Sequence, residues 1–484
     1  MHLLPFCFLI AVICVGCNPA NEDQQEKVGG GQQEASIPLT HVITTEAEYY
    51  TTGPQQSRPP DGKFPRGTRV SIMEKSGAYV LIRTANGVEA YVAADALKQQ
   101  ENTVMNVSGI AGGSNQFALD LYQQLRSKEG NLFCSPSSIS TALAMAYAGA
   151  AGETKTEMAN TLHFQMPEEQ LHNEMQALQS FWNTPDKKQG IRLNLANRLW
   201  GQESYEFLPQ FLGITRDNYG AELARVNFAQ NEQARQTINR WVEDKTENKI
   251  TDLIPAGAIN SDTKLVLTNA TYFHGIWTKP FKKARTQEED FHLSALDKIK
   301  VPMMHRWGEY RYSAIDELQL LELPYGDGSL SMVVLLPKEI DGLADLEAKL
   351  TFQNLQLWMA GLNRKTDVKV YLPKFKTTSQ FELSSTLRAM GMESAFDPNT
   401  ADFTGMTGAR DLFISAVIHK AFVDVNEEGT EAAAATGIIM EPTSAPADPT
   451  EPPVFRADHP FVFVVRDNRN SAILFMGRIE NPLE

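Results

Sequence analysis

The stretch Asn426-Glu-Glu-Gly-Thr-Glu-Ala-Ala-Ala-Ala-Thr436, followed by Gly437-Ile-Ile-Met-Glu441, carries almost no bulk after its first residues. Read as a strand, whose side chains alternate between faces, it presents Thr430, Ala432, Ala434, Thr436, Ile438 and Met440 on one side. That face is small, then apolar, and uncharged. The other face, Glu431 to Glu441, has a charge at either end. Pro442 has no amide donor and closes the strand reading. The four alanines fit a helix equally well, since alanine is the best helix former. Pattern alone leaves the two open.

Bulk properties narrow the classes. A chain of 484 residues with 42% apolar and 21% charged residues has the material for a large core and for two or three domains. Its net charge of −15 argues against a general nucleic-acid binder, which needs a basic field. The nearest basic cluster, Lys279, Lys282, Lys283 and Arg285, reads as a solvated turn.

Residues 1–16 form a short apolar stretch ending in Cys14-Val-Gly-Cys17, too short to span a membrane and expected to be a signal peptide. Gly16 before Cys17 resembles the lipid-attachment site of a bacterial lipoprotein. Cys14 and an n-region without Lys or Arg depart from that pattern and leave plain secretion open. Once the signal is removed, Cys17 is the lipidated first residue and only Cys134 remains, so no disulfide framework is expected. The location is exported: membrane-anchored at the bacterial cell envelope, or extracellular.

Residues 17–36 read as a Gly-rich tether. Residues 37–99 alternate as short strands, with an Asn86-Gly87 hairpin signal. They resemble a small SH3-like barrel through Gly67-Thr-x-Val70, the Tyr79 strand and Gly87…Tyr91-Val92. Such a module docks to cell wall or a peptide, or serves as a spacer. A linker follows at 100–112. Residues 113–484 show no internal break, with helical patterns mainly first and strands mainly later, which favours α+β.

The chain carries no nucleophile elbow, zinc helix, P-loop or dinucleotide fingerprint. The nine histidines show no metal-ligand spacing. No enzyme, no metal and no cofactor is expected. Instead, Asn131-Leu-Phe-Cys-Ser-Pro-Ser-Ser-Ile139, Thr268-Asn-Ala-Thr-Tyr-Phe-His-Gly-Ile-Trp277, Leu323-Pro-Tyr325, Leu372-Pro-Lys-Phe375, His419-Lys420, the Glu427 run and His459-Pro-Phe-Val-Phe463 follow in order. In this order and spacing they closely resemble the serpins.

That resemblance implies an α+β fold with three β-sheets and about nine helices, and a reactive loop at about 427–453. The expected function is inhibition of a serine protease by suicide-substrate trapping. The protease cleaves the loop, which inserts as a new strand in the central sheet. The hinge positions are Glu427, Gly429, Thr430, Ala432, Ala434 and Thr436. Ser135, Ser138, Asn269 and His419 match the polar cluster beneath the opening of the sheet, and Trp277 the aromatic where insertion begins. Ile238 to Leu253 matches a helix lying across the sheet. From Thr430 to Thr443, thirteen steps of roughly 3.3 Å carry a tethered protease about 40 Å.

Family spacing puts the reactive bond at Thr443–Ser444, which suits an elastase-like or subtilisin-like protease. The loop is about six residues longer than usual, so Met440–Glu441 and Ala445–Pro446 stay open. Expected partners are that protease, a wall or peptide ligand of the SH3-like domain, and a membrane through the lipid; the chain is expected to be a monomer and to bind no nucleic acid. The alternative is a non-inhibitory serpin or a cell-envelope binding protein using its SH3-like domain.

Overall fold

The computed structural model describes residues 41–43, 45–53, 59–65, 68–84, 88–99, 109–183, 190–221, 223–315, 317–430 and 451–484. The signal at 1–16, Cys17, the tether at 17–36, linker residues 100–108, Ala432, Ala434, Thr436 and the Thr443–Ser444 bond lie outside them, and the expected linker gives way at its end to the helix Ile110–Leu125.

Packing divides the chain into two units, residues 1–100 and 101–484. In the first, seven strands pair antiparallel in the order Gly62–Phe64, Ala47–Tyr50, Glu89–Ala93, Tyr79–Thr84, Arg69–Ser76, His41–Ile43, Leu97–Gln99. Alternation sends Val80, Ile82, Ala90 and Val92 to one buried face with Ile43, Phe64 and Val70. A single sheet buries one face this fully only by rolling onto itself.

The larger unit holds a six-stranded central sheet, a nine-stranded sheet made of two parts joined along one strand and, among the described residues, ten α-helices. The central sheet runs Ala224–Val226, Ile191–Gln202, Leu265–Ile276, Gly429–Thr430, Ile414–Val425, Phe375–Glu382. The two parts of the nine-stranded sheet share one long strand, Lys298–Ile315. Its first part pairs with Gln287–His292 and Lys365–Pro373, and the latter in turn with Val454–Arg456. Its last residues pair with Leu318–Tyr325. From there the sheet continues through Leu330–Pro337, Phe461–Asp467 and Ile473–Ile479 to Leu132–Cys134.

The helix Pro136–Tyr147 is buried along its whole length, with polar Ser137, Ser138, Ser140 and Thr141 in its first half and apolar Ala142–Tyr147 in its second. Pro136 opens it, where a missing amide costs nothing. On the opposite face of the central sheet lies the helix Asn231–Lys245. Its Ala234, Ile238 and Val242 pack on Ala196, Trp200, Val266, Ala270, Ile418 and Phe422. The expected Ile238–Leu253 span is therefore shifted. Beyond Lys245 the chain turns through Glu247 and Asn248, both at positive φ, and Ile250, Leu253 and Ile254 return to the same core. Apolar periodicity continued past the point where the backbone left the helix.

Candidate functional site: the gate of the central sheet

The two middle strands of the central sheet, Leu265–Ile276 and Ile414–Val425, run parallel and pair directly from Leu265 with Ile414 to Tyr272 with Phe422. Above Tyr272 they part. Gly429–Thr430 enters the gap antiparallel to both, with Gly275 opposite Thr430, Ile276 opposite Gly429 and Val425 opposite Thr430. The chain reaches that gap through a tight hairpin. The Asn426 amide donates to the Gly429 carbonyl at 2.8 Å, and the Gly429 amide donates back at 3.2 Å. A Cβ on Gly429 would stand 1.9 Å from the Gly275 carbonyl oxygen, so only glycine fits this approach.

Around the hairpin each polar group is held. The Trp277 ring stacks on Tyr325 with centroids 4.3 Å apart, and its Nε1 donates to the Asn426 carbonyl at 3.0 Å. The Trp277 and Phe281 amides donate to the carbonyls of Glu428 and Glu427. Thr430, fully buried, shares a 2.7 Å hydrogen bond with the Tyr325 hydroxyl. Burial pushes the Tyr325 phenol far up, so it stays neutral. Burial would raise the Glu427 carboxyl as well. Its own backbone amide, the Thr286 hydroxyl at 2.8 Å and Lys374 at 3.0 Å outweigh that and hold it below its ordinary value. Glu428 pairs with Lys283 at 2.8 Å.

Lower down, a polar row crosses three strands. Asn197 lies opposite Asn269, and Asn269 opposite His419. The Asn269 amide donates to the Ser138 hydroxyl at 2.7 Å and to Asn197 Oδ1 at 2.6 Å, and Ser138 donates to Asn197 at 2.9 Å. The Ser135 amide donates to His419 Nε2 at 3.1 Å, so that nitrogen keeps its lone pair. The proton then sits on Nδ1, which bonds Asn269 Oδ1. Burial lowers the imidazole to about 3, and it is neutral at ordinary pH. Ser135 Oγ donates to the Leu474 carbonyl at 2.8 Å, anchoring the cluster on the adjacent sheet. The arrangement is a latch: parting the middle strands breaks the Asn269–His419 bond.

Ser135, Ser138, Asn269 and His419 thus meet, and Trp277 meets Glu427, Gly429 and Thr430 at the other end of the strand Leu265–Ile276. Asn197, Tyr325, Thr286 and Lys374 complete the two clusters; Tyr325 and Lys374 stand in the quoted motifs, but the sequence reading gave none of the four a site role. An asparagine inside the apolar strand Leu195-Ala-Asn-Arg-Leu-Trp200 was the available signal for the first. Among the described residues, no group of three or more His, Cys, Asp or Glu is placed to hold a metal. Cys134 is buried and its thiol is pushed up to about 12 by that burial, which makes it an inert core residue.

A model of the serpin (serine protease inhibitor) family matches residues 112–482. The human leukocyte elastase inhibitor is 43% identical over 385 residues, covering 77% of this chain and 99% of its own length. The mouse leukocyte elastase inhibitor A is 44% identical with the same coverage. Among solved structures, uncleaved ovalbumin superposes with a TM-score of 0.71 at 32% identity, over 78% of this chain and all of its own. Human thyroxine-binding globulin complexed with its hormone gives 0.71 at 30% identity, over 78% and 100%. With its motifs in order, its loop entry wedged into a parallel gate and these relatives, the chain belongs to the serpin family.

Proposed function

We propose that this chain inhibits a serine protease by suicide-substrate trapping. The observation that carries the reading is the hinge: Gly429–Thr430 already sits antiparallel between two strands that are parallel to one another. Continuing that strand downward replaces one parallel ladder with two antiparallel ones, which are slightly stronger per residue. The segment that must follow Thr430 supplies Ala432, Ala434 and Thr436, small and uncharged on the inward face. The cost is opening the Asn269–His419 latch. A protease joined to the loop through an acyl bond is dragged about 40 Å, where a misplacement of ~1 Å already costs much of its activity.

The elastase inhibitors among the relatives and the small Thr443 at the expected reactive bond both support an elastase-like or subtilisin-like target. The chemistry needs no cofactor and no catalytic group of the inhibitor itself. The apolar leader with Cys17 supports export and lipid anchoring in the manner of a bacterial lipoprotein, and the antiparallel first unit supports an SH3-like docking module at 37–99. Loss of radiolabelled fatty-acid incorporation in Cys17→Ala tests the anchor.

Incubation with a panel of serine proteases tests the inhibitor. An SDS-resistant complex is expected, and sequencing the released C-terminal peptide locates the reactive bond. Cleavage with no stable complex sinks the inhibitory reading and favours a carrier or storage role.

A further inference from the structure

The strands Leu318–Tyr325 and Leu330–Pro337 pair with Tyr325 opposite Leu330 at one end and Leu318 opposite Pro337 at the other. Tyr325 belongs to the gate, where it stacks on Trp277. From Tyr325 to Leu318 is seven steps, at roughly 3.3 Å each about 23 Å along the strand. At that far end the helices Leu343–Lys349 and Phe352–Ala360 supply the remaining walls of a cavity of about 360 Å³. Pockets that hold small ligands start at about this size.

Two kinds of side chain line it. Leu318, Pro337 and Trp358 give apolar walls, and the partly buried Trp358 adds a flat aromatic surface. Glu317, Glu339 and Asp345 are exposed carboxylates in the same lining, against the single ammonium of Lys349. Lys349 is drawn to Glu317 at 3.5 Å. Among the described residues, Glu339 and Asp345 have no ion-pair partner. Three negative charges against one positive leave the cavity acidic, and a cleft of one sign with low-dielectric walls concentrates the opposite charge. The face of an indole attracts cations as well. Among the described residues no acidic group is placed to hold a metal ion, and apolar walls suit a ligand with an apolar body.

We propose that this cavity binds a small organic cation, a primary amine carried on an aromatic ring. The ring packs against Trp358, Leu318 and Pro337, and the ammonium stays beside Glu339 and Asp345. This is a second binding activity, independent of the inhibitory reading, because none of these residues belongs to the gate or the hinge.

The test is calorimetric titration of the full chain with three ligands of similar shape: 2-phenylethylammonium, neutral 2-phenylethanol and anionic 3-phenylpropionate. Saturable binding of one amine per chain is expected, with the alcohol about tenfold weaker and the anion unbound. Trp358→Ala is expected to weaken the amine about tenfold, and Trp358→Phe to recover part of that loss. Glu339→Gln and Asp345→Asn, at exposed positions, are each expected to weaken the amine several-fold and leave the alcohol unchanged, which a merely structural role would not do. No saturable amine binding by the wild-type chain overturns the proposal. So does equal binding of amine and 3-phenylpropionate, or wild-type amine affinity in E339Q and D345N together.

Discussion

At the scale of single residues, Gly429 and His419 bear the most. A methyl at 429 has nowhere to go, since its nearest neighbour at 1.9 Å is backbone of the strand Leu265–Ile276. Gly429→Ala is expected to expel the hairpin from the gap and destabilise the fold by about 1–3 kcal/mol. The measurement is the urea midpoint together with inhibition stoichiometry, which should rise as more chains are cleaved without trapping. His419 makes a pH prediction. Its folded pKa of about 3 lies below the ordinary value of 6.5, so the folded state favours the neutral ring. That contribution is complete above pH ~6.5 and is lost as pH falls from there towards 3, at up to about 1.4 kcal/mol per pH unit. Denaturant titrations at pH 7 and pH 5 on wild type and His419→Gln should show the variant less stable at pH 7 and less sensitive to pH. Equal slopes contradict the latch.

At the scale of elements, the proposed mechanism makes the strand Gly429–Thr430, paired with both middle strands, the first step of insertion. Thr430 is fully buried and bonded to Tyr325, so Thr430→Arg forces a cation into the sheet at the first step of insertion. The expected outcome is normal cleavage by the target protease with complex yield reduced at least tenfold, read on SDS gels. Much of this was legible beforehand. Ser135, Ser138, Asn269 and His419 stand in recognisable motifs, whereas the alanine run by its pattern fits a helix and a strand equally well. Their partners were not. Tyr325 meets Thr430 across 105 positions and Asn197 meets Asn269 across 72, and no local pattern encodes such meetings. The helix over the sheet was shifted for a related reason: Ile250, Leu253 and Ile254 extend the apolar pattern, yet they pack from a turn. The alanines themselves, open between helix and strand, lie beyond the described residues, the last of which before them, Gly429–Thr430, form a strand.

At the scale of the whole molecule, the central claim is that the fold as synthesised has room for one more strand than it holds. The parallel middle pair, the wedge of Gly429–Thr430 and the polar latch are the parts of a sheet waiting to open. On the proposed mechanism, nicking the loop releases its tether and lets the sheet gain a central strand, which would raise its stability. Loop cleavage in a protein without this provision leaves stability unchanged or lower. The decisive measurement is thermal unfolding of the full chain before and after a single cut between residues 437 and 450. A rise in Tm of roughly 10 °C or more, several times the 2–4 °C that ~1 kcal/mol brings in a domain of 150–250 residues, is the expected result. An unchanged or lowered Tm after the cut would contradict the account.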